Sequence, residues 1–114
     1  MHMNIYKILR APEWAELDQA GSSDGAPIDV ADGYIHFSTA EQAQETAAKH
    51  FAGVEGLKLL AYDPAVFGAD LKWEVSRGDA LFPHLYARLT LQGLIWNRDL
   101  PLEDGKHIFP EGLE

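Results

Sequence analysis

Alternation with a period of two is the clearest pattern in the chain. Over residues 34–38 it places Tyr34, His36 and Ser38 on one strand face and Ile35 and Phe37 on the other. Asp32-Gly33 before this strand reads as a turn. Ser38-Thr39 after it opens a helix through two overlapping capping boxes, Ser38-x-x-Glu41 and Thr39-x-x-Gln42. The helix carries one narrow apolar stripe, Ala40, Ala43, Ala47 and Phe51, and Gly53 ends it. Upstream, residues 4–9 have the aromatic and β-branched density of a central strand. Pro12 then opens a short helix with Trp14 and Leu17 three apart, stopped by Gly21. Residues 22–32, rich in Ser, Gly, Asp and Pro, read as a loop: either a plain connection or the rim of a site.

The second half is patterned for strands. Residues 57–62 form a buried strand closed by Asp63-Pro64, with a helical turn expected over residues 64–67. Leu71, Trp73 and Val75 alternate with Lys72, Glu74 and Ser76, and Arg77-Gly78-Asp79 follows as a turn. After Phe82-Pro83, Leu85, Ala87, Leu89 and Leu91 alternate with His84, Tyr86, Arg88 and Thr90, and residues 94–96 add a short strand. The last dozen residues lack periodicity, with Ile108 and Phe109 placed to dock the tail. Strand, helix, strand, helix and then a run of strands argues a mixed α+β fold with helices flanking a strongly bent sheet. A doubly wound parallel fold would need helices between the later strands, and those are missing.

Composition narrows the class. At 114 residues, 46% hydrophobic and 24% charged, the chain is expected to be one globular domain spanning residues 1–114. The absence of cysteine removes disulfides and thiol catalysis and fits a cytoplasmic setting. No basic leader followed by an apolar run begins the sequence, and no window is long and apolar enough for a membrane span. The net charge of −9 disfavours nucleic acid as a partner, because binding along phosphates needs Lys and Arg. The charge is uneven, however. Residues 1–70 carry four Lys/Arg against eleven Asp/Glu, while residues 71–98 carry four against two, so an anion site draws on the later segment.

The histidines and carboxylates show no metal-binding spacing, Ser38 lacks the context of a nucleophile elbow, and no glycine-rich dinucleotide fingerprint is present. What remains are polar side chains on strand faces: Tyr34, His36 and Ser38; Glu74, Ser76 and Arg77; His84, Tyr86 and Arg88. Converging in one cleft, they would offer Arg for phosphate, imidazole and hydroxyls for sugar, and aromatics for a base. Taken singly, each also has a structural reading. Arg77 can pair with Glu74 or Asp79, and His36 can be a satisfied interior histidine.

The motifs Asp32-Gly33-Tyr34-Ile35-His36-Phe37-Ser38-Thr39, Trp73-Glu74-Val75-Ser76-Arg77-Gly78 and Phe82-Pro83-His84-Leu85-Tyr86 closely resemble a family of small, mostly bacterial proteins. That family is the domain of unknown function number nine-five-two, and the resemblance spans nearly the whole chain. Ile35-His36-Phe37-Ser38, following a strand with Tyr6 and a helix with Trp14, also resembles more distantly the catalytic half of tRNA 2′-phosphotransferases. That likeness implies an ADP-ribosylation-like fold, two bent, split antiparallel sheets around an NAD-shaped cleft. It departs from the pattern at Lys7-Ile8, where the phosphotransferases carry His-Gly, and the basic RNA-gripping companion domain is missing.

The resulting expectation is a cleft for a small anionic, nucleotide-like ligand such as NAD or ADP-ribose, with group transfer as its catalytic form. Arg77 would hold phosphate, His36 bond ribose or act as acid or base, Glu74 accept a proton or bind a hydroxyl, and Tyr86 or Trp73 stack on a ring. Ser38 and His84 complete the ligand-binding set. The alternative is a non-catalytic interaction domain that kept the fold and lost the cofactor, its acidic first half facing a basic protein partner.

Overall fold

A computed structural model describes residues 3–113, with the side chain of Arg77 outside the described set. The elements run β1 (Ile5–Leu9), α1 (Ala11–Ala20), β2 (Ser22–Ser23), α2 (Pro27–Asp32), β3 (Ile35–His36), α3 (Ala40–His50) and β4 (Leu57–Tyr62). Then come β5 (Leu71–Val75), β6 (Leu81–Leu85), β7 (Leu89–Thr90), β8 (Leu94–Leu100), β9 (Leu102–Glu103) and β10 (Lys106–His107). Two 3₁₀ segments, Pro64–Asp70 and Arg77–Asp79, flank β5. The result is a mixed α and β fold in which every strand pair is antiparallel.

Two three-stranded sheets dominate, ordered β1-β4-β8 and β3-β6-β5. Among the described residues one bridge couples them: Tyr6 N–H donates to Ser38 O at 2.7 Å and Ser38 N–H to Tyr6 O at 2.9 Å. β1 therefore has backbone partners on both sides and is buried along its length.

The first sheet lies between two cores. Tyr6, Ile8, Leu59 and Ala61 face α3, whose Ala43 and Ala47 are small enough to let the helix lie close. Ile5, Leu9, Leu60 and Tyr62 face Leu17 of α1 and Ile35 and Leu85 of the second sheet. Thr39 rather than Ser38 caps α3, its hydroxyl accepting from Gln42 N–H while the Gln42 side chain accepts from Thr39 N–H. Gly21 closes α1 in the left-handed region, φ 80°.

Several elements differ from the pattern-based expectation. The strand over residues 34–38 is split, because the chain stays on β6 through Phe37 and crosses to β1 at Ser38. Residues 22–32 are not a loop but carry β2 and α2. Pro27 opens α2, and the carboxylate of Asp29 accepts from Ala26 N–H at 2.7 Å. The alternation from residue 84 onward holds through Tyr86, whose N–H donates to Asp70 O in register with the β5–β6 pairing, and the chain then changes partner to β2 at Leu89; β6 begins earlier and includes Pro83. Pro83 contributes its carbonyl, which accepts from Phe37 N–H at 3.0 Å. The strand expected at residues 94–96 runs on to Leu100, since β4 offers a full-length edge. The tail forms the β9–β10 hairpin, and Phe109 docks on the α3-side core while Ile108 stays exposed.

Candidate functional site

Register builds the site. β3 against β6 sets His36 opposite His84, and β6 against β5 sets His84 opposite Lys72 and Phe82 opposite Glu74. Directly opposed residues share a sheet face, so these five side chains lie on one surface. Ile35, Leu85, Leu71 and Trp73 belong to the other. Tyr34 covers the histidines, its ring centroid 4.2 Å from His84, 4.6 Å from His36 and 5.3 Å from Tyr86. The two imidazoles meet edge to face at 5.5 Å. Tyr34 thus bridges the two imidazoles across the floor of the site.

Beneath His36 runs a buried ionic chain. Lys7, on the same face of β1 as Ile5 and Leu9, is 4% exposed, and its Nζ lies 2.8 Å from Asp29 Oδ2. The same ammonium donates to His36 O at 2.9 Å. Asp29 Oδ1 accepts from His36 N–H at 2.9 Å and meets His36 Nδ1 at 2.6 Å. Asp32 Oδ2 meets the other ring nitrogen, Nε2, at 3.0 Å. Carboxylates only accept, so both ring bonds exist together when each nitrogen carries a proton. Burial pushes the Asp29 carboxyl up, yet His36 and Lys7 together outweigh it and hold it down at about 2. Burial dominates at Lys7 and lowers its ammonium despite the pull of Asp29.

His84 is held differently. Its Nδ1 lies 2.9 Å from Glu74 Oε1, and that oxygen also accepts from Tyr86 OH at 2.7 Å. The Tyr86 and His84 bonds keep the Glu74 carboxyl below its ordinary value, while the bond to Glu74 pushes the Tyr86 phenol up to about 12. Lys72 Nζ sits 4.9 Å from the centroid of the Tyr86 ring.

A cleft of about 650 Å³ opens over this floor, within the size range of small-molecule sites. Its lining takes in Lys7, Arg10, His36, His50 and His84, but of the acids only Glu13 and Asp32. In a chain of net charge −9, that is a locally less acidic surface. Tyr6, Tyr34, Phe51 and Phe82 provide the aromatic walls. Ser38 lines the cleft with its hydroxyl 3.0 Å from Thr46 Oγ1.

Of the residues singled out from sequence, Tyr34, His36, Ser38, Ser76 and His84 share this cleft. Glu74 and Tyr86 sit behind His84 and reach the cleft through it. Trp73 projects from the opposite face of β5 and is 40% exposed, away from the cleft lining. Arg77 begins a 3₁₀ turn, and its side chain lies outside the described residues. Sequence reading passed over Lys7, Asp29 and Asp32 as site residues. Two signals were present: a lysine in an otherwise apolar strand requires a buried partner, and Pro27-Ile28-Asp29 has the proline-first, acid-third form of a helix start. Among the described residues, no group of three or more His, Cys, Asp or Glu side chains stands ready to hold a metal ion. No helix there is long and apolar enough to cross a membrane.

The sequence matches, over residues 8–97, the family described as "Protein of unknown function (DUF952)", and the chain belongs to that family. Its fold is similar to the crystal structure of protein CC0527 from Caulobacter crescentus, with a TM-score of 0.88 and 49% identity over 92% of this chain and 93% of that one. The solution NMR structure of CC0527 gives 0.81 and 48% over 94% and 91%. No curated protein matches the sequence.

Proposed function

We propose that the cleft binds a small anionic, nucleotide-like ligand, with NAD and ADP-ribose the leading chemistries, and that residues 1–114 act as one ADP-ribosylation-like domain. The observation that carries this reading is the facing pair His36 and His84, set opposite each other by strand register at the floor of a 650 Å³ cleft. The Arg10 guanidinium suits phosphate, the His84 imidazole and the Ser38 hydroxyl suit ribose hydroxyls, and Tyr34 and Phe82 suit a ring. Two split three-stranded sheets meeting at one bridge support the fold reading. In a group-transfer version the same residues would align the ribose. The acidic charge argues against RNA or DNA as the partner, and the cysteine-free composition agrees with a cytoplasmic setting.

Calorimetric titration with NAD, ADP-ribose and adenosine phosphates tests it. Binding that His36→Ala and Arg77→Ala each weaken about tenfold supports the reading, and absence of heat at millimolar ligand overturns it. A protein-interaction role is favoured by one separate observation, the exposed apolar set Trp73, Val75 and Leu81 at the β5–β6 end. Sedimentation with a basic protein fraction, before and after Trp73→Ser, separates the two readings.

A further inference from the structure

One nitrogen in the cleft is left over. His84 is only 3% exposed, its Nδ1 is engaged by Glu74, and among the described residues its Nε2 has no hydrogen-bond partner. Buried polar atoms are rarely left unpaired, because stripping them of water without replacement is costly. His36 contrasts with it, since both its nitrogens are already occupied by Asp29 and Asp32. The cleft therefore holds one imidazole with both nitrogens engaged and a second with an open position.

The chemistry of that open position follows from Glu74. Its carboxylate, kept ionised by the bonds from Tyr86 and His84, only accepts, so in the neutral ring the proton sits on Nδ1. Nε2 then presents a lone pair, and what meets it must be a donor. On a nucleotide-like ligand the donor beside the phosphates is a sugar hydroxyl.

We propose that His84 is the proton acceptor of the cleft, its Nε2 receiving a hydrogen bond from a ribose hydroxyl, with Glu74, backed by Tyr86, as its positioning residue. The inference rests on the nucleotide-type reading of the cleft and assigns the place where a general base stands. It also divides the work between the histidines. His36, held by Asp29 and Asp32, fixes the rim to the floor, and His84 accepts from the hydroxyl.

Long-range ¹H–¹⁵N spectra of the full chain labelled at histidine, recorded free and with ADP-ribose, test it. In the free protein the His84 proton is expected on Nδ1. Glu74→Leu, which removes the acceptor, lets the proton populate Nε2, and Tyr86→Phe, which keeps the carboxylate, leaves it on Nδ1. ADP-ribose shifts the Nε2 resonance, and His84→Phe weakens its binding about tenfold. A proton on Nε2 in the free protein, or an unchanged tautomer in folded Glu74→Leu, overturns the positioning role. Calorimetric binding of ADP-ribose with a static Nε2 resonance overturns the His84 assignment alone. Absence of both heat and shifts overturns the ligand reading beneath it.

Discussion

The Lys7 ammonium and the Asp29 carboxylate face each other at 2.8 Å with both side chains almost wholly out of water. The pair ties β1, in one sheet, to α2, which carries the cleft rim, and through His36 to the second sheet. Desolvating two charges is expensive, and breaking such a pair from one side leaves the other charge buried and uncompensated.

Lys7→Met is accordingly expected to destabilise the protein by about 3–5 kcal/mol. Urea denaturation measures this. Lys7→Met combined with Asp29→Asn should be more stable than Lys7→Met alone, because the orphaned charge is removed while an oxygen remains to accept from Ala26 N–H. Additive losses would show that the two side chains do not act as a pair.

Acid stability should report on Asp29. Its carboxyl ionises at about 2 in the folded protein against an ordinary 3.8, so the unfolded chain binds the proton more readily. The contribution is present above pH 3.8 and is lost as pH falls through about 2. It amounts to about 2 kcal/mol. Asp29→Asn should flatten that part of the stability curve, as read from denaturation midpoints across the acid range. A midpoint that falls as steeply in the variant would exclude Asp29 as the source.

Gly25→Ala should be damaging although the change is one methyl group. Gly25 has φ 91°, which strains any L side chain, and an added Cβ would collide with the Asp29 carboxylate and come within 2.6 Å of Ile35 Cδ1. A loss of about 2–4 kcal/mol is expected from strain and overpacking together. Because the collision displaces Asp29, backbone amide shifts at His36 should accompany the drop in thermal midpoint.

The alkaline titration should single out Tyr86. Losing its proton would break the bond to Glu74 and set two anions side by side, which is why its phenol is held up to about 12. A raised folded-state value stabilises below the ordinary 10 and is lost as pH rises through 12. In a phenolate absorbance titration, Glu74→Gln should return one tyrosine toward 10, and Tyr86→Phe should delete that transition. Tyr62, raised by burial, is expected to keep its late transition in both variants.

Local pattern carried much of the fold. The Thr39 cap, the Ala43–Ala47 stripe and the β4 run each depend on neighbours within a few residues, and each is present. What local pattern cannot carry is the crossing at Ser38, which depends on Tyr6 being available 32 residues earlier. The change of partner after Tyr86 is of the same kind, set by Ser23, with which Leu89 pairs, rather than by the alternating residues themselves. At the candidate site, His36 and His84 stood out as polar residues on strand faces. The chain Lys7–Asp29–His36 did not, because its members lie on three elements and are polar groups inside a core. Trp73 shows the limit of the alternation argument: it assigns a face correctly without saying which face borders the cleft.

The Tyr6–Ser38 bridge makes the two sheets a jointed pair whose seam runs under the cleft. Tyr6, Lys7 and Ile8 line one side, His36 and His84 the other, and two amide protons stand at the joint. Solvent exchange at those two amides is thus a gauge of how often the sheets part. A ligand that touches both sides must slow exchange there even though it makes no contact with either proton.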